Sequence, residues 1–178
     1  MPRLNVVEPN EATGAVKEIY VDLTSKMGQV VNIFKGMGNS PAALKAYLSM
    51  SLALSEGELS VEDREVVYLG VSQRNECNYC ISAHTMLAKL VGMDDEQILA
   101  IRRLEPQSES HRALLRFVLR VMDTRGFVED ADIAAVREAG YSDGQIAEAI
   151  AFIGLATYSN LFNHVFDTEL DFPAAPNL

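Results

Sequence analysis

Apolar residues recur along this chain at steps of three and four, the spacing of one face of an α-helix, and no segment sustains the alternation of two that marks a strand. The pattern predicts an all-α protein of about eight helices. Ala12, Val16, Ile19, Tyr20 and Leu23 set an amphipathic helix from Glu11 to about Lys26, which Met27-Gly28 ends. Val30 to Met37 follows as a mostly apolar connection with Ile33 and Phe34, suited equally to walling a pocket and to covering the core. Asn39-Ser40-Pro41 caps a helix with proline in its first turn, and Leu44, Tyr47, Leu48, Leu52 and Leu54 carry it to the Glu56-Gly57-Glu58 break. Ser60 with Asp63 opens the next helix, through about Arg74, with Val61, Val67 and Val71 on its apolar side. A further helix from Glu76 to Val91 rests on Ile81, Leu87, Leu90 and Val91. Beyond Ile146 a long helix through Ile150, Ile153, Leu155, Tyr158, Leu161, Phe162 and Val165 is at first apolar nearly all round, as in a core or at a subunit contact. From Asp167, with Pro173 and Pro176, the tail reads as an extended strap.

Part of this pattern repeats at an offset of 48 residues. Gly92-Met93-Asp94-Asp95-Glu96-Gln97-Ile98 matches Gly140-Tyr141-Ser142-Asp143-Gly144-Gln145-Ile146: a glycine helix stop, an apolar residue, a cap, and a glutamine three later. Carried backward, the offset pairs the helix of Val66, Val67, Leu69 and Val71 with that of Leu114, Leu115, Phe117 and Leu119. One domain is expected, with N-terminal helices over 1–58, a first hairpin over 59–101, its second copy with the long helix over 108–166, and a tail over 167–178. A chain of 178 residues buries about 70% of its unfolded surface, enough for one core without staples.

Composition narrows the partners. With 48% hydrophobic and 22% charged residues, the chain is an ordinary globular one. Its net charge of −10, without a Lys/Arg cluster, leaves no face for neutralising phosphates, so nucleic acid and anionic membrane surfaces are excluded. No apolar run reaches signal-peptide or membrane-spanning length, and a cytoplasmic protein is expected. In a reducing compartment two cysteines two residues apart are read first as catalytic or metal-binding.

Those cysteines hold the chemistry. Cys77, Cys80 and His84 stand at i, i+3 and i+7, on one stripe of a helix. Near a helix start, free N–H groups and the positive dipole end favour thiolate over thiol, and an imidazole one turn on takes a thiol proton or holds the thiolate. Glu65, among apolar neighbours on the preceding helix, either orients His84, directly or through a water, or stands as a solvated helix glutamate. The offset sets these four against Ala113, Arg125, Val128 and Asp132, so the second copy lacks all of them. Two other uses stand beside redox chemistry. The cysteines serve as small buried apolar residues, or with His84 and one of His111, His164 or a carboxylate they bind zinc, although a paired second half-site is missing. Asn160, Asn163 and His164 either line the same pocket or cap and solvate the helix end; Arg112, Arg116 and Arg120 make a water-facing stripe with Asp123 as partner.

Read together as E-x11-C-x2-C-x3-H, Glu65, Cys77-Asn78-Tyr79-Cys80 and His84 resemble the AhpD-like alkylhydroperoxidase branch of the carboxymuconolactone decarboxylase family. The resemblance is good over about Leu59 to Ile101 and looser elsewhere, at Asn39-Ser40-Pro41 and at the closing Asn-x-x-Asn-His and Asp-Phe-Pro. It implies an AhpD-like helical bundle and a thiol-dependent peroxidase with no cofactor and no metal. Cys80 would attack the hydroperoxide, Cys77 would resolve it to a disulfide, and Glu65 and His84 would relay protons. Helix position alone favours the opposite order of sulfurs. A lipoyl or thioredoxin-like dithiol donor and a trimeric or hexameric homo-oligomer are implied in the same way. The best-known peroxidase members carry a second histidine where this chain has Tyr79. A general thiol–disulfide oxidoreductase or redox sensor, and a decarboxylase independent of the cysteines, are the other activities these residues suit.

Overall fold

A computed structural model describes residues 1–178. It is all helical, with α1 (Gly14–Met27), α2 (Asn32–Met37), α3 (Pro41–Ser55), α4 (Val61–Arg74), α5 (Asn78–Leu90), α6 (Asp95–Arg102), α7 (Glu109–Thr124), α8 (Asp130–Glu138) and α9 (Asp143–Phe166). That is nine helices rather than eight, because the Val30 to Met37 connection contains α2. Gly36 explains why a helix fits there: a Cβ on it would collide with the ring of buried Phe166.

The 48-residue offset is built into the architecture. Ser60 and Ser108 cap α4 and α7, each accepting from the backbone N–H three residues on. Asp94 and Ser142 form capping boxes with Gln97 and Gln145 at the starts of α6 and α9. Gly92 and Gly140 take φ of 100° and 103°, a left-handed conformation that a side chain would strain. The two copies pack together through α4 and α7.

Helix α4 is the axis of the main core. Val66, Val67, Leu69 and Val71 are fully buried, and Asp63, Glu65 and Ser72 go inside with them. A helix enclosed on all sides needs partners for every polar group it carries. Asp63 has them in Tyr141 Oη at 2.7 Å and Ser60 Oγ at 2.6 Å, with His111 Nε2 at 3.5 Å. A second apolar cluster joins Tyr20, Val30, Ile33, Phe34, Met37 and Leu44 from the N-terminal helices to Cys77, Tyr79 and Cys80. The start of α5 therefore sits on the seam between two cores.

Helix α9 divides its faces. Phe152, Leu155, Ala156, Ser159, Asn160 and Asn163 are buried, whereas Ile150, Tyr158, Leu161 and Val165 are exposed. The arginine stripe is paired differently from expectation: Asp123 binds Arg74 at 2.6 Å, and Arg120 reaches Asp132 and Glu129 across the α7–α8 turn. No helix is long and apolar enough to cross a membrane.

Candidate functional site

Helix α5 begins two residues later than the periodicity predicts. Glu76 has φ of 57°, the left-handed region, which turns the chain sharply between α4 and α5. Cys77 follows as the N-cap with extended dihedrals (φ −85°, ψ 92°), its side chain making no capping bond, and Cys80 is the third helical residue. Both sulfurs are free thiols in buried residues.

The four candidate residues come together. His84, one turn after Cys80, sets Nδ1 2.8 Å from Glu65 Oε2, and both side chains are about nine-tenths buried. Tyr68, one turn after Glu65, stacks on the imidazole with ring centroids 4.0 Å apart and planes 15° apart. The ring is thus fixed along its edge by a carboxylate and on its face by an aromatic. Spacing located the two cysteines and His84, and the family resemblance pointed to Glu65; the groups meet because α4 and α5 are neighbours in the chain and pack side by side.

Two further groups come from α9, far away in sequence. Asn163 Nδ2 lies 3.1 Å from Cys80 Sγ, and Ser159 Oγ is 3.7 Å from the same sulfur. Thr168 donates to Asn163 Oδ1 at 2.6 Å, which turns the amide so that its NH2 faces the thiol. Asn160 is held elsewhere, donating to Ser72 Oγ and accepting from Asn75. His164 is exposed, so of the closing Asn-x-x-Asn-His it is the second asparagine that reaches the sulfur. The available signal was a pair of amides on an otherwise apolar helical face.

These surroundings separate the thiols. Cys80 is lowered from its ordinary value, first by hydrogen bonding from Cys77, then by the charge of His84 and by Ser159, all working against burial. Cys77 is raised, by its bond to Cys80 and by burial. Burial disfavours the His84 cation, but the charge and hydrogen bond of Glu65, with Cys80 behind them, raise its pKa overall. The arrangement favours a carboxylate–imidazolium–thiolate row.

A cavity of about 620 Å³ opens onto this row. Cys80, His84, Glu65, Tyr68 and Ser159 line it, and Cys77 does not. Its walls are Ile33 and Phe34 of α2, Tyr47 and Leu48 of α3, and Phe172 of the tail; exposed Met27, Gln29, Met86 and Leu87 stand at the rim. The Val30 to Met37 segment therefore does wall a pocket. Burial above all raises the pKa of Tyr47 and Tyr68, so both keep their protons and face the cavity as neutral hydroxyls. Tyr79 points from between the cysteines to Asp171 Oδ1 at 2.8 Å and packs against Phe172. No cluster of three or more His, Cys, Asp or Glu side chains is arranged to hold a metal.

The lowered Cys80 value has a direct readout. Iodoacetamide should alkylate Cys80 with a midpoint below the ordinary thiol value of about 8.5, and Asn163→Leu should move that midpoint upward, as removing a donor to the thiolate requires. A wild-type midpoint at or above the ordinary value would contradict the electrostatics described here.

Residues 41–114 match the carboxymuconolactone decarboxylase family. No curated protein matches the chain in sequence. Among solved structures, an alkylhydroperoxidase AhpD core, a peroxidase-related protein from Ralstonia eutropha JMP134, superposes with a TM-score of 0.87 at 23% identity, over 96% of this chain and 92% of that one. A peroxidase-related protein from Silicibacter sp. TM1040 gives 0.81 at 22% identity, over 94% and 89%. The debrominase Bmp8 in complex with 2,3,4-tribromopyrrole gives 0.77 at 17% identity, over 96% and 94%. The stretch that builds the thiol wall of the pocket thus matches the carboxymuconolactone decarboxylase family, and the chain as a whole has the AhpD-like fold.

Proposed function

We propose that the protein is a thiol-dependent peroxidase that reduces hydroperoxides with the Cys77–Cys80 pair. The observation that carries this reading is the position of Cys80 in the cavity wall, beside a buried Glu65–His84 pair, with Cys77 outside the cavity. In the proposed reaction the Cys80 thiolate attacks the terminal oxygen of ROOH. The O–O bond breaks, His84 gives a proton to the departing alkoxide, and Cys80 becomes a sulfenic acid. Cys77 then displaces hydroxide from that sulfur, giving the disulfide and water. The sum is ROOH plus two thiols to ROH, water and one disulfide, and a lipoyl or thioredoxin-like dithiol restores the pair. A reducing compartment such as the cytoplasm suits this cycle, and the exposed α9 stripe suits assembly as a trimer or hexamer.

Decarboxylation of a carboxylated lactone is less well supported, since no lysine or arginine lines the cavity to meet a carboxylate. The aromatic lining favours one second reading, reductive removal of a ring halogen with the same two thiol electrons, which would release halide rather than consume peroxide.

Thiol titration tests the main reading. One equivalent of cumene hydroperoxide should remove two thiols and leave a disulfide between Cys77 and Cys80; two unchanged thiols would refute it.

A further inference from the structure

The cavity carries a charge pattern that the peroxidase reading does not use. Its walls are hydrocarbon and aromatic, from Phe34, Tyr47, Leu48, Tyr68 and Phe172, and its volume of about 620 Å³ far exceeds what a bare peroxide group fills. None of its lining residues is a lysine or arginine. Lys35, on the same helix as Ile33 and Phe34, is paired with Glu8 at 3.1 Å. Apart from the Glu65–His84 pair, the one charged group in the wall is Asp171, brought there by the C-terminal tail. Asp171 is fixed on both oxygens: Oδ2 accepts from Asn32 N at 2.6 Å, and Oδ1 accepts from Tyr79 Oη at 2.8 Å. The tail is tied on either side of it, by Asn32 Nδ2 to Glu169 O and by Ala175 N to Ser82 Oγ.

An anionic substrate would leave water for a site whose one cation, His84, is already held by Glu65, and would meet a fixed carboxylate of its own sign. The chain's net charge of −10 opposes its approach as well. An uncharged apolar body loses nothing of this kind and gains contact with the rings. We propose that the pocket selects bulky uncharged hydroperoxides, aromatic ones included, over their carboxylated counterparts, with Asp171 setting the charge preference. The inference rests on the peroxidase reading for its substrate class, and on the cavity alone for its selectivity.

The test compares cumene hydroperoxide with its para-carboxylate at pH 8 and low salt, with dithiothreitol as reductant. The expected kcat/KM favours the neutral compound by at least about ten-fold, the ratio shrinks as salt screens the repulsion, and it shrinks again in Asp171→Asn. In parallel, 2-phenyl-2-propanol and its para-carboxylate are compared as protectants of Cys80 against iodoacetamide, with the neutral alcohol expected to protect better. A ratio near one in both assays overturns the proposal. An undiminished ratio in an Asp171→Asn protein that melts like the wild type overturns the part given to Asp171. If no hydroperoxide is consumed but the neutral alcohol still protects selectively, the peroxidase reading fails and the pocket's selectivity stands. Should Asp171→Asn fail to fold, the wild-type ratio and its salt dependence decide.

Discussion

Cys80→Ser should reduce hydroperoxide consumption to the buffer background, while Cys77→Ser should complete one turnover per chain and stop. The asymmetry follows from which sulfur meets the cavity. Cys80 lines it and holds the lowered pKa, so its replacement removes the atom that attacks oxygen. Cys77 lies outside and is raised, so serine there keeps a hydroxyl donor beside Cys80 for the attack but removes the sulfur of the second displacement. The arrested Cys77→Ser protein should carry a sulfenic acid on Cys80 that dimedone traps and mass spectrometry locates. Sulfenic acid on Cys77 in the Cys80→Ser protein would reverse the assignment. Multiple turnover by that protein would remove the thiols from the reaction altogether.

Glu65→Gln should slow peroxide reduction by about 10²- to 10⁴-fold near neutral pH, the range that positioned acid–base groups contribute. The amide keeps a partner for His84 Nδ1 but not the charge. With the raising influence of Glu65 gone and burial remaining, the imidazole loses its proton at lower pH than before. Cys80 then loses a neighbouring cation, and its thiolate forms only at higher pH. Activity of the variant should therefore recover partly as pH rises, which a merely unfolded protein would not do. A parallel effect on stability has a definite sign. His84 has a raised pKa in the fold, so its contribution is full below the unfolded value of about 6.5 and is lost as pH rises through the folded one. Denaturant midpoints of wild type and Glu65→Gln, taken at pH 5.5 and at pH 9, should accordingly lie closer together at pH 9. An unchanged rate and an unchanged pH profile would show that Glu65 has no part in the chemistry.

What the sequence made legible was what lies close along the chain. Cys77, Cys80 and His84 lie within a turn or two of one another along α5, so helical spacing sufficed for them, whereas Glu65, on the preceding helix, was marked by the family resemblance. The repeat was visible because caps and glycine stops are local signals, and both copies kept them. The α9 wall was legible only as one of two readings of Asn160, Asn163 and His164, and Ser159 not at all: Ser159 and Asn163 reach Cys80 from 79 and 83 residues away, and no period links them to it. Asp171 is farther still from its contacts, 92 residues from Tyr79 and 139 from Asn32. The two local misreadings have physical causes. Helix α2 hides behind Gly36, which reads as a breaker but is there to admit the Phe166 ring. The late start of α5 comes from Glu76 in a left-handed conformation, which a non-glycine residue does not advertise.

The placement of Cys77 at the helix cap shapes how the catalyst resets. Residues with helical dihedrals swing a side chain only by fighting the turn before them, whereas a capping residue stands outside that constraint. In the proposed cycle Cys80 stays gripped by the α9 amide while the capping residue swings to meet it and swings back on reduction. One half of the couple is rigid and the other compliant, so each pass between oxidation states spares α5 any unwinding.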